Sequence, residues 1–175
     1  MGYTSLIKGS SVIDNNLSDT SSIYNNLMSI NYDKSMSSRW TASFGKSYDY
    51  SGKSYPYIEM PSFLSDMIPD MSKLFGFEPN NCLINLYHDG NSSMGYHSDN
   101  TDILYDGTGV IIISIGSTRT LRFRNITNRT DIVDYVLTDG SIFYMDDALQ
   151  TNWMHSIPRS DSNSIRISLT FRKIL

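Results

Sequence analysis

The chain has 175 residues, a length that favours one domain with a single sizeable core. Its formal net charge of −4 argues against a protein that holds nucleic acid mainly by neutralising phosphates over a broad basic surface. Cys82 is the only cysteine, so an intrachain disulfide is excluded and a reducing compartment is favoured. With no signal-peptide pattern and no apolar run long enough to cross a bilayer, we expect a soluble, monomeric, cytoplasmic protein without a membrane partner.

Residues 1–37 are expected to form an N-terminal extension built around one short helix. Ile23, Leu27 and Ile30 recur at helical spacing in a segment otherwise rich in Ser, Asn and Asp. They follow Ser18–Asp19, a pair in which either side chain could cap the helix. The pattern predicts an amphipathic helix that packs on the domain and has a structural role.

A second helix is predicted between Pro61 and Gly76. Apolar residues recur every three or four positions, which gives the segment one apolar face. Pro69 should kink this helix, and Gly76 suits the position just past its end. The stripe is rich in Met and Phe, and we expect it to lie in the core rather than in a ligand pocket.

The segment Arg39–Gly52, between the two helices, is dense in aromatic and small polar residues. Gly, Ser and Lys interrupt every possible apolar face, so a buried strand is not expected here. We interpret the segment as an ordered surface loop or hairpin. It could be a packing loop or a lid whose aromatic rings stack on a planar ligand, and the segment by itself favours neither.

From residue 82 onwards the hydrophobic period changes to two, which indicates β-strands. Turn residues separate eight short candidate strands, which are Cys82–Tyr87, Met94–His97, Val110–Ile115, Thr120–Arg124, Ile132–Leu137, Ser141–Met145, Met154–Ile157 and Ile165–Phe171. Consecutive short strands without helices between them are typical of an antiparallel sandwich or jelly roll. The predicted fold class is therefore α+β, mainly β.

One short motif on the second of these strands has metal-binding potential. His97 and Asp99 are two residues apart, so both side chains point to the same face of a strand. His155, on a later strand, could complete a set of two histidines and one carboxylate, the expected ligand set of a non-haem Fe(II) oxygenase. A structural surface pair is the alternative if no other feature supports a metal.

Two arginines on the last predicted strand provide such a feature. Arg166 and Arg172 are six residues apart and share one face, with α-carbons about 20 Å apart at ~3.3 Å per residue. Side chains that reach towards each other would leave a gap close to the span of a five-carbon dicarboxylate. Asn85 and Tyr87 also share a face and need polar partners, which such a ligand would supply. Solvated arginines on an edge strand are the alternative.

Together, these motifs resemble the AlkB family of Fe(II)- and 2-oxoglutarate-dependent dioxygenases. The resemblance covers residues 38–174 and rests on the order and spacing of Asn81–Tyr87, Gly90, His97–Asp99, Ser114–Arg119, Gly140–Ile142, His155 and Arg166–Arg172. The stretch that begins at His97 is also similar to AlkB domains within plant RNA virus replication proteins, which would place the chain in the host cytoplasm.

The resemblance implies a single domain over residues 1–175 with the double-stranded β-helix (jelly-roll) fold. Within it, residues 38–60 would form a nucleotide-recognition lid and residues 82–174 the catalytic jelly roll.

The resemblance also implies a role for each candidate site residue. His97, Asp99 and His155 would bind Fe(II), with 2-oxoglutarate and O2 as cosubstrates. The residues expected to contact 2-oxoglutarate are Asn85, Tyr87, Arg166, Ser168 and Arg172, with Arg166 on the distal carboxylate. The residues expected to contact the substrate are Arg39, Phe44, Tyr48, Tyr50, Thr101 and Asp102. Thr101 stands where repair members of the family usually have an acidic residue, which leaves base preference open.

The implied activity is oxidative demethylation of N-alkylated bases such as 1-methyladenine or 3-methylcytosine. The expected partner is methylated RNA or single-stranded DNA, because no duplex-opening wedge is evident. 2-Oxoglutarate would be converted to succinate, and the methyl group would leave as formaldehyde. The only basic cluster, formed by Arg119, Arg122, Arg124 and Arg129, could guide a phosphate backbone or be a solvated strand face.

Two alternatives stay open. Asp146 and Asp147 would repel phosphate if they faced the cleft, which keeps a protein N-methyl demethylase or hydroxylase of the same family possible. The other alternative is a catalytically silent module that binds methylated nucleic acid. The metal-ligand set and both arginines argue against this module, since binding alone requires none of them.

Overall fold

The computed structural model describes residues 3–14, 17–50 and 52–175, without the side chains of Tyr3 and Tyr50. The elements in chain order are β1 (Tyr3–Thr4), β2 (Ser10–Ile13), α1 (Thr20–Met28), β3 (Trp40–Gly45), β4 (Tyr48–Tyr50), β5 (Lys53–Tyr55), α2 (Ser62–Ser65), α3 (Ile68–Phe75), β6 (Asn81–Tyr87), β7 (Met94–His97), β8 (Val110–Gly116), β9 (Arg119–Asn125), β10 (Ile132–Leu137), β11 (Ile142–Met145), α4 (Asp147–Asn152), β12 (Trp153–Ile157) and β13 (Arg166–Arg172).

Two antiparallel sheets face each other across the core. The larger sheet has seven strands in the order β1-β2-β11-β8-β13-β6-β3, and the smaller has four in the order β10-β9-β12-β7. An apolar cluster that includes Ile112, Leu121, Phe123, Tyr135 and Phe143 fills the space between them. This arrangement confirms the predicted α+β, mainly β class and the jelly-roll fold.

The first three helices cover the outer face of the larger sheet. Leu27 of α1, Leu64 of α2 and Met71 of α3 are buried in one cluster with strand residues such as Ile84 and Leu169. The central strands β6, β8 and β13 are therefore covered on both faces. Their almost continuous burial follows from this double cover.

Both predicted helical segments are helical. Asp19 caps α1, since its carboxylate accepts a hydrogen bond from the backbone N–H of Ser22 at 3.1 Å. The second segment forms two short helices, and Pro69 lies in the first turn of α3, where its missing N–H costs no helical hydrogen bond. Gly76 ends α3 in the left-handed conformation, as predicted. None of the helices in the described ranges is long and apolar enough to cross a membrane.

The interpretation of Arg39–Gly52 as a surface loop or hairpin was wrong for its first half. Residues 40–45 form β3, the edge strand of the larger sheet, which pairs with β6. The small polar side chains that suggested a loop have partners: the hydroxyls of Thr41 and Tyr55 are 2.6 Å apart, and the Asn81 amide donates to the Ser43 hydroxyl at 3.1 Å. The second half does form a hairpin, from β4 and β5.

Two further elements were not expected from the sequence. β1 and β2 extend the larger sheet beyond β11, so part of the N-terminal extension belongs to the jelly roll. The segment after Met145 contains α4, although the sequence predicted consecutive strands without helices between them. Asp146 caps this helix, because its carboxylate accepts a hydrogen bond from the backbone N–H of Leu149 at 2.8 Å.

Gly45 offers a test of how the edge strand ends. Its φ is +82°, and an added Cβ would lie 2.2 Å from the carbonyl oxygen of Asn80. We expect Gly45→Ala to lower the free energy of unfolding by about 3 kcal/mol, because backbone strain and a steric clash add. Gly107→Ala is the matched control. Its φ is +73°, but no atom of the described residues lies within 4 Å of the added Cβ, so the free energy of unfolding should fall by only about 1 kcal/mol. Equal decreases in the free energy of unfolding of the two variants, measured by urea unfolding, would contradict the role of the Asn80 contact.

Candidate active site

Three potential metal ligands converge between β7 and β12. His155 lies directly opposite His97 in the antiparallel register, and a bulge in β7 lets Met94 and His97 both face the cavity between the sheets. Asp99 follows β7, and one of its carboxylate oxygens is 3.4 Å from Nε2 of His97 and 3.7 Å from Nε2 of His155. One ligand atom from each residue lies within 4.8 Å of the others.

The carboxylate of Asp99 is held in place and ionised. Its side chain is almost completely buried, the Arg172 guanidinium donates to Oδ2 at 2.9 Å, and Oε1 of Gln150 accepts from the Asp99 backbone N–H at 2.9 Å. Burial alone would raise the pKa of Asp99. The positive charge of Arg172 and the contact with His97 outweigh burial and hold the pKa well below its usual range.

The two imidazoles present the neutral nitrogen that a metal requires. Nδ1 of His97 is 2.9 Å from the Gly95 carbonyl oxygen, which can only accept, so this nitrogen carries the proton and Nε2 is left for a metal. Burial lowers the pKa of His155 to about 4, an effect that Asp99 opposes, so the ring is neutral near pH 7. Two imidazoles and one carboxylate fit Fe(II) by donor type.

The cavity between the sheets begins at these residues and ends at Arg166. Arg166 is 1% exposed, and it donates to the Ser114 hydroxyl at 2.9 Å, while its Nε and Nη1 are buried without a hydrogen-bond partner among the described residues. Burial lowers the pKa of Arg166 to about 10, so the side chain stays charged near neutral pH. A buried cation with free donors fits a carboxylate ligand.

The five residues predicted to contact 2-oxoglutarate all line this cavity. Ser168 lies in register with Asn85, and Asn85 accepts a hydrogen bond from Nε of Arg39 at 2.9 Å. Arg166 and Arg172 stand at the two ends of β13, so one arginine lies far from the metal ligands and the other beside Asp99. Their contacts with 2-oxoglutarate stay predictions, and the geometry is compatible with them.

The predicted substrate residues divide into two groups. Arg39 and Tyr48 line a second opening at the metal ligands, together with Tyr96. Phe44 does not reach this opening, because alternate residues of β3 point to opposite faces and Phe44 packs against the helical side. Thr101 and Asp102 line a separate cavity near the C terminus. The side chain of Tyr50 is outside the described residues.

The predicted basic cluster does not form one surface. Arg119 is buried, and Arg122 makes two hydrogen bonds of 2.7 Å with Asp134. Arg124 lies over the ring of Tyr96, 3.9 Å from its centroid. Only part of the cluster could therefore meet a phosphate.

Sequence reasoning gave no role to Ser114, Gln150 or Tyr96. Ser114 is a single polar residue within the apolar strand β8, and that interruption was a usable signal for a residue that faces a polar site. Nothing in the local sequence singles out Gln150, because its contact with Asp99 depends on where α4 packs.

Comparisons with known proteins agree with this geometry. The family described as the 2OG-Fe(II) oxygenase superfamily matches residues 15–172. DNA oxidative demethylase ALKBH2 of Bos taurus is 32% identical over 142 residues, covering 75% of this chain and 50% of that protein. The RNA replication polyprotein of Citrus leaf blotch virus is 31% identical over 127 residues, covering 72% of this chain and 6% of that protein. The solved structure of OsALKBH1 covers 98% of this chain and is itself covered completely, with a TM-score of 0.71 and 16% identity, which shows the shared fold.

The chain spans about half the length of the bovine relative. The family match extends over nearly all of the chain, and the relatives are those that the motifs led us to expect. The chain therefore belongs to the 2OG-Fe(II) oxygenase superfamily, and within it to the AlkB type.

Proposed function

We propose that this protein is an Fe(II)- and 2-oxoglutarate-dependent dioxygenase that removes methyl groups from N-alkylated bases in RNA or single-stranded DNA. The observation that carries the proposal is the cavity that joins His97, Asp99 and His155 to the buried cation of Arg166. When bound, Fe(II) and 2-oxoglutarate supply the oxidation of a methyl group by O2, with succinate, CO2 and formaldehyde as products.

In this mechanism, His97, Asp99 and His155 would hold Fe(II) through two imidazole nitrogens and one carboxylate. Arg166 binds the distal carboxylate of 2-oxoglutarate with its free donors. Arg172 acts on Asp99, because its hydrogen bond to Oδ2 leaves Oδ1 pointing towards the two histidines. The walls between the two arginines combine apolar side chains, such as Ile112 and Leu121, with polar side chains that a dicarboxylate can contact.

The opening at the metal ligands supports a planar, weakly charged substrate. Tyr48 and Tyr96 line it with Arg39, which provides aromatic faces and one cation for a base that has left its stack. The ion pair between Arg122 and Asp134 reduces the positive field of the surface. A single strand, whose phosphates need not meet a broad basic face, is therefore favoured over a duplex.

A protein substrate receives no comparable support. The argument for it depended on Asp146 and Asp147 near the cleft. The Asp146 carboxylate instead caps α4, and neither acid lines the opening formed by Arg39, Tyr48 and Tyr96.

The first test is turnover. Protein loaded anaerobically with Fe(II) and 2-oxoglutarate should, after admission of air, form succinate and demethylate an oligonucleotide that contains 1-methyladenine or 3-methylcytosine. Asp99→Ala should reduce both products on the order of 100-fold or more, because a ligand and its charge are lost. Asp106→Asn, an exposed acid outside the site, is the matched control and should retain wild-type turnover.

Two results would contradict the proposal in different ways. Full turnover by Asp99→Ala would remove the metal assignment. Wild-type succinate formation with every methylated oligonucleotide unchanged would remove the nucleic-acid substrate and leave the oxygenase activity in place.

The second test concerns the arginine beside Asp99. Arg172→Met should weaken binding of Fe(II), or of Mn(II) as a redox-stable substitute, by about 10- to 100-fold, because Asp99 loses its orienting partner. Calorimetric titration with the metal measures this change without turnover. Arg159→Met, which removes an exposed arginine, should bind the metal like the wild type. Equal affinities for all three proteins would show that Arg172 does not orient the ligand.

The third test separates the two aromatic candidates. Tyr48→Leu should raise KM for the methylated oligonucleotide about tenfold, because one stacking surface at the opening is lost. Phe44→Leu should leave this KM unchanged and lower the free energy of unfolding by about 1 kcal/mol, because Phe44 packs against the apolar cluster on the helical side of the sheet. Steady-state kinetics and urea unfolding of both variants provide the comparison, and the reverse pattern would contradict the assignment of the opening.

A further inference from the structure

Arg119, the first residue of β9, is a buried cation that the proposed mechanism does not use. It is 2% exposed, and its guanidinium donates three hydrogen bonds to backbone carbonyl oxygens. Nη1 contacts Asp89 at 3.0 Å, while Nη2 contacts Ser92 at 2.7 Å and Pro158 at 2.8 Å. Two of these carbonyls belong to the β6–β7 connection and the third to the β12–β13 connection, so one side chain joins both.

The charge of Arg119 makes no ion pair with the described residues, and the Asp89 carboxylate attracts it only over a longer distance. Within the described ranges, no ion pair links it to an acidic side chain. The carboxylate of Asp89 instead accepts from the backbone N–H groups of Asn91 and Ser92. Burial of a charge without an ionic partner is unfavourable unless hydrogen bonds and a nearby anion compensate for it. A dicarboxylate in the adjacent cavity would be such an anion.

Tyr87 connects Arg119 to that cavity. The Cζ atom of Arg119 is 5.6 Å from the centroid of the Tyr87 ring, and Cζ of Arg166 is 5.3 Å from the same centroid. Both distances are within the range of a cation–π contact. Tyr87 is buried and lines the cavity, so the ring that forms part of the wall is placed by two guanidinium groups.

The connections joined by Arg119 also fix the start of β13. The backbone N–H of Gly90 donates to the Ser162 carbonyl at 2.6 Å, and the Ser160 N–H donates to the Gly90 carbonyl at 2.9 Å. A Cβ on Gly90 would lie 1.9 Å from the Ser160 oxygen, so the two backbones approach as closely as glycine permits. Arg166 follows a few residues later, and this contact therefore sets its position.

We propose that Arg119 is a positioning residue for the distal carboxylate of 2-oxoglutarate: by joining the two connections and placing the Tyr87 ring, it preforms the Arg166 end of the cavity. The inference rests on the proposed function. A general stabilising role of Arg119 would affect the affinity for any ligand in the cavity. The proposed role affects only the contribution of the distal carboxylate.

The test compares two ligands by isothermal titration calorimetry of the full chain with Mn(II) in place of Fe(II). 2-Oxobutanoate shares the metal-binding end of 2-oxoglutarate and lacks the distal carboxylate. The measured quantity is the ratio of the affinity for 2-oxoglutarate to the affinity for 2-oxobutanoate. In Arg119→Met this ratio should fall about tenfold, because binding of the distal carboxylate would then have to order the Arg166 end of the cavity. Arg122→Met, three positions along the same strand, should keep the wild-type ratio.

Arg119→Lys provides a second variant in case Arg119→Met does not fold. Lysine keeps a charge, but it cannot reach all three carbonyls with a planar fork, so the ratio should fall at least threefold. A wild-type ratio in either folded variant would overturn the inference, as would equal loss of affinity for both ligands. If the wild type itself binds 2-oxoglutarate no more tightly than 2-oxobutanoate, the proposed function fails together with the inference. A wild-type preference that both variants keep overturns the inference alone.

Discussion

The pairing of β7 with β12 sets His155 opposite His97, and the candidate metal site depends on this register. Side chains alternate along a strand, so a slip of one residue would turn one histidine out of the cavity and separate the ligand set. The bulge in β7 adds a second constraint, because it brings Met94 and His97 to the same side. The pairing of β12 with β9, which also places Phe123 beside His155, reinforces the register.

Charge is distributed unevenly within the jelly roll. Arg119, Arg166 and Arg172 are buried there, and Asp99 is the acidic side chain that pairs with one of them. The cavity therefore has a surplus of positive charge at the Arg166 end, while the ligand set at the other end includes one carboxylate. The distal carboxylate of 2-oxoglutarate would offset the charge at the Arg166 end, and its metal-chelating carboxylate would offset part of the metal's charge at the other end, which is why metal and cosubstrate binding should reinforce each other.

Much of the fold and the site was predictable from the sequence because strand periodicity is a local property. His97 and Asp99, Asn85 and Tyr87, and the two arginines of β13 each share a face by their even separation, and the structure brings these pairs to one cavity. The misinterpretation of segment 40–45 has a different cause. A strand with small polar residues looks like a loop until its partners, here Tyr55 and Asn81, are in place.

The sequence by itself therefore determined the fold class, the family and the set of candidate metal ligands, since these depend on residue identity, spacing and order along the chain. The tertiary structure decided which aromatic residues reach the opening: Tyr48 and Tyr96 line it, whereas Phe44 faces the helical side of the sheet. It also showed that Arg119, predicted to belong to a basic cluster, is buried and donates hydrogen bonds to two connections between strands. These outcomes depend on contacts between residues far apart in the chain, which spacing within a segment does not encode.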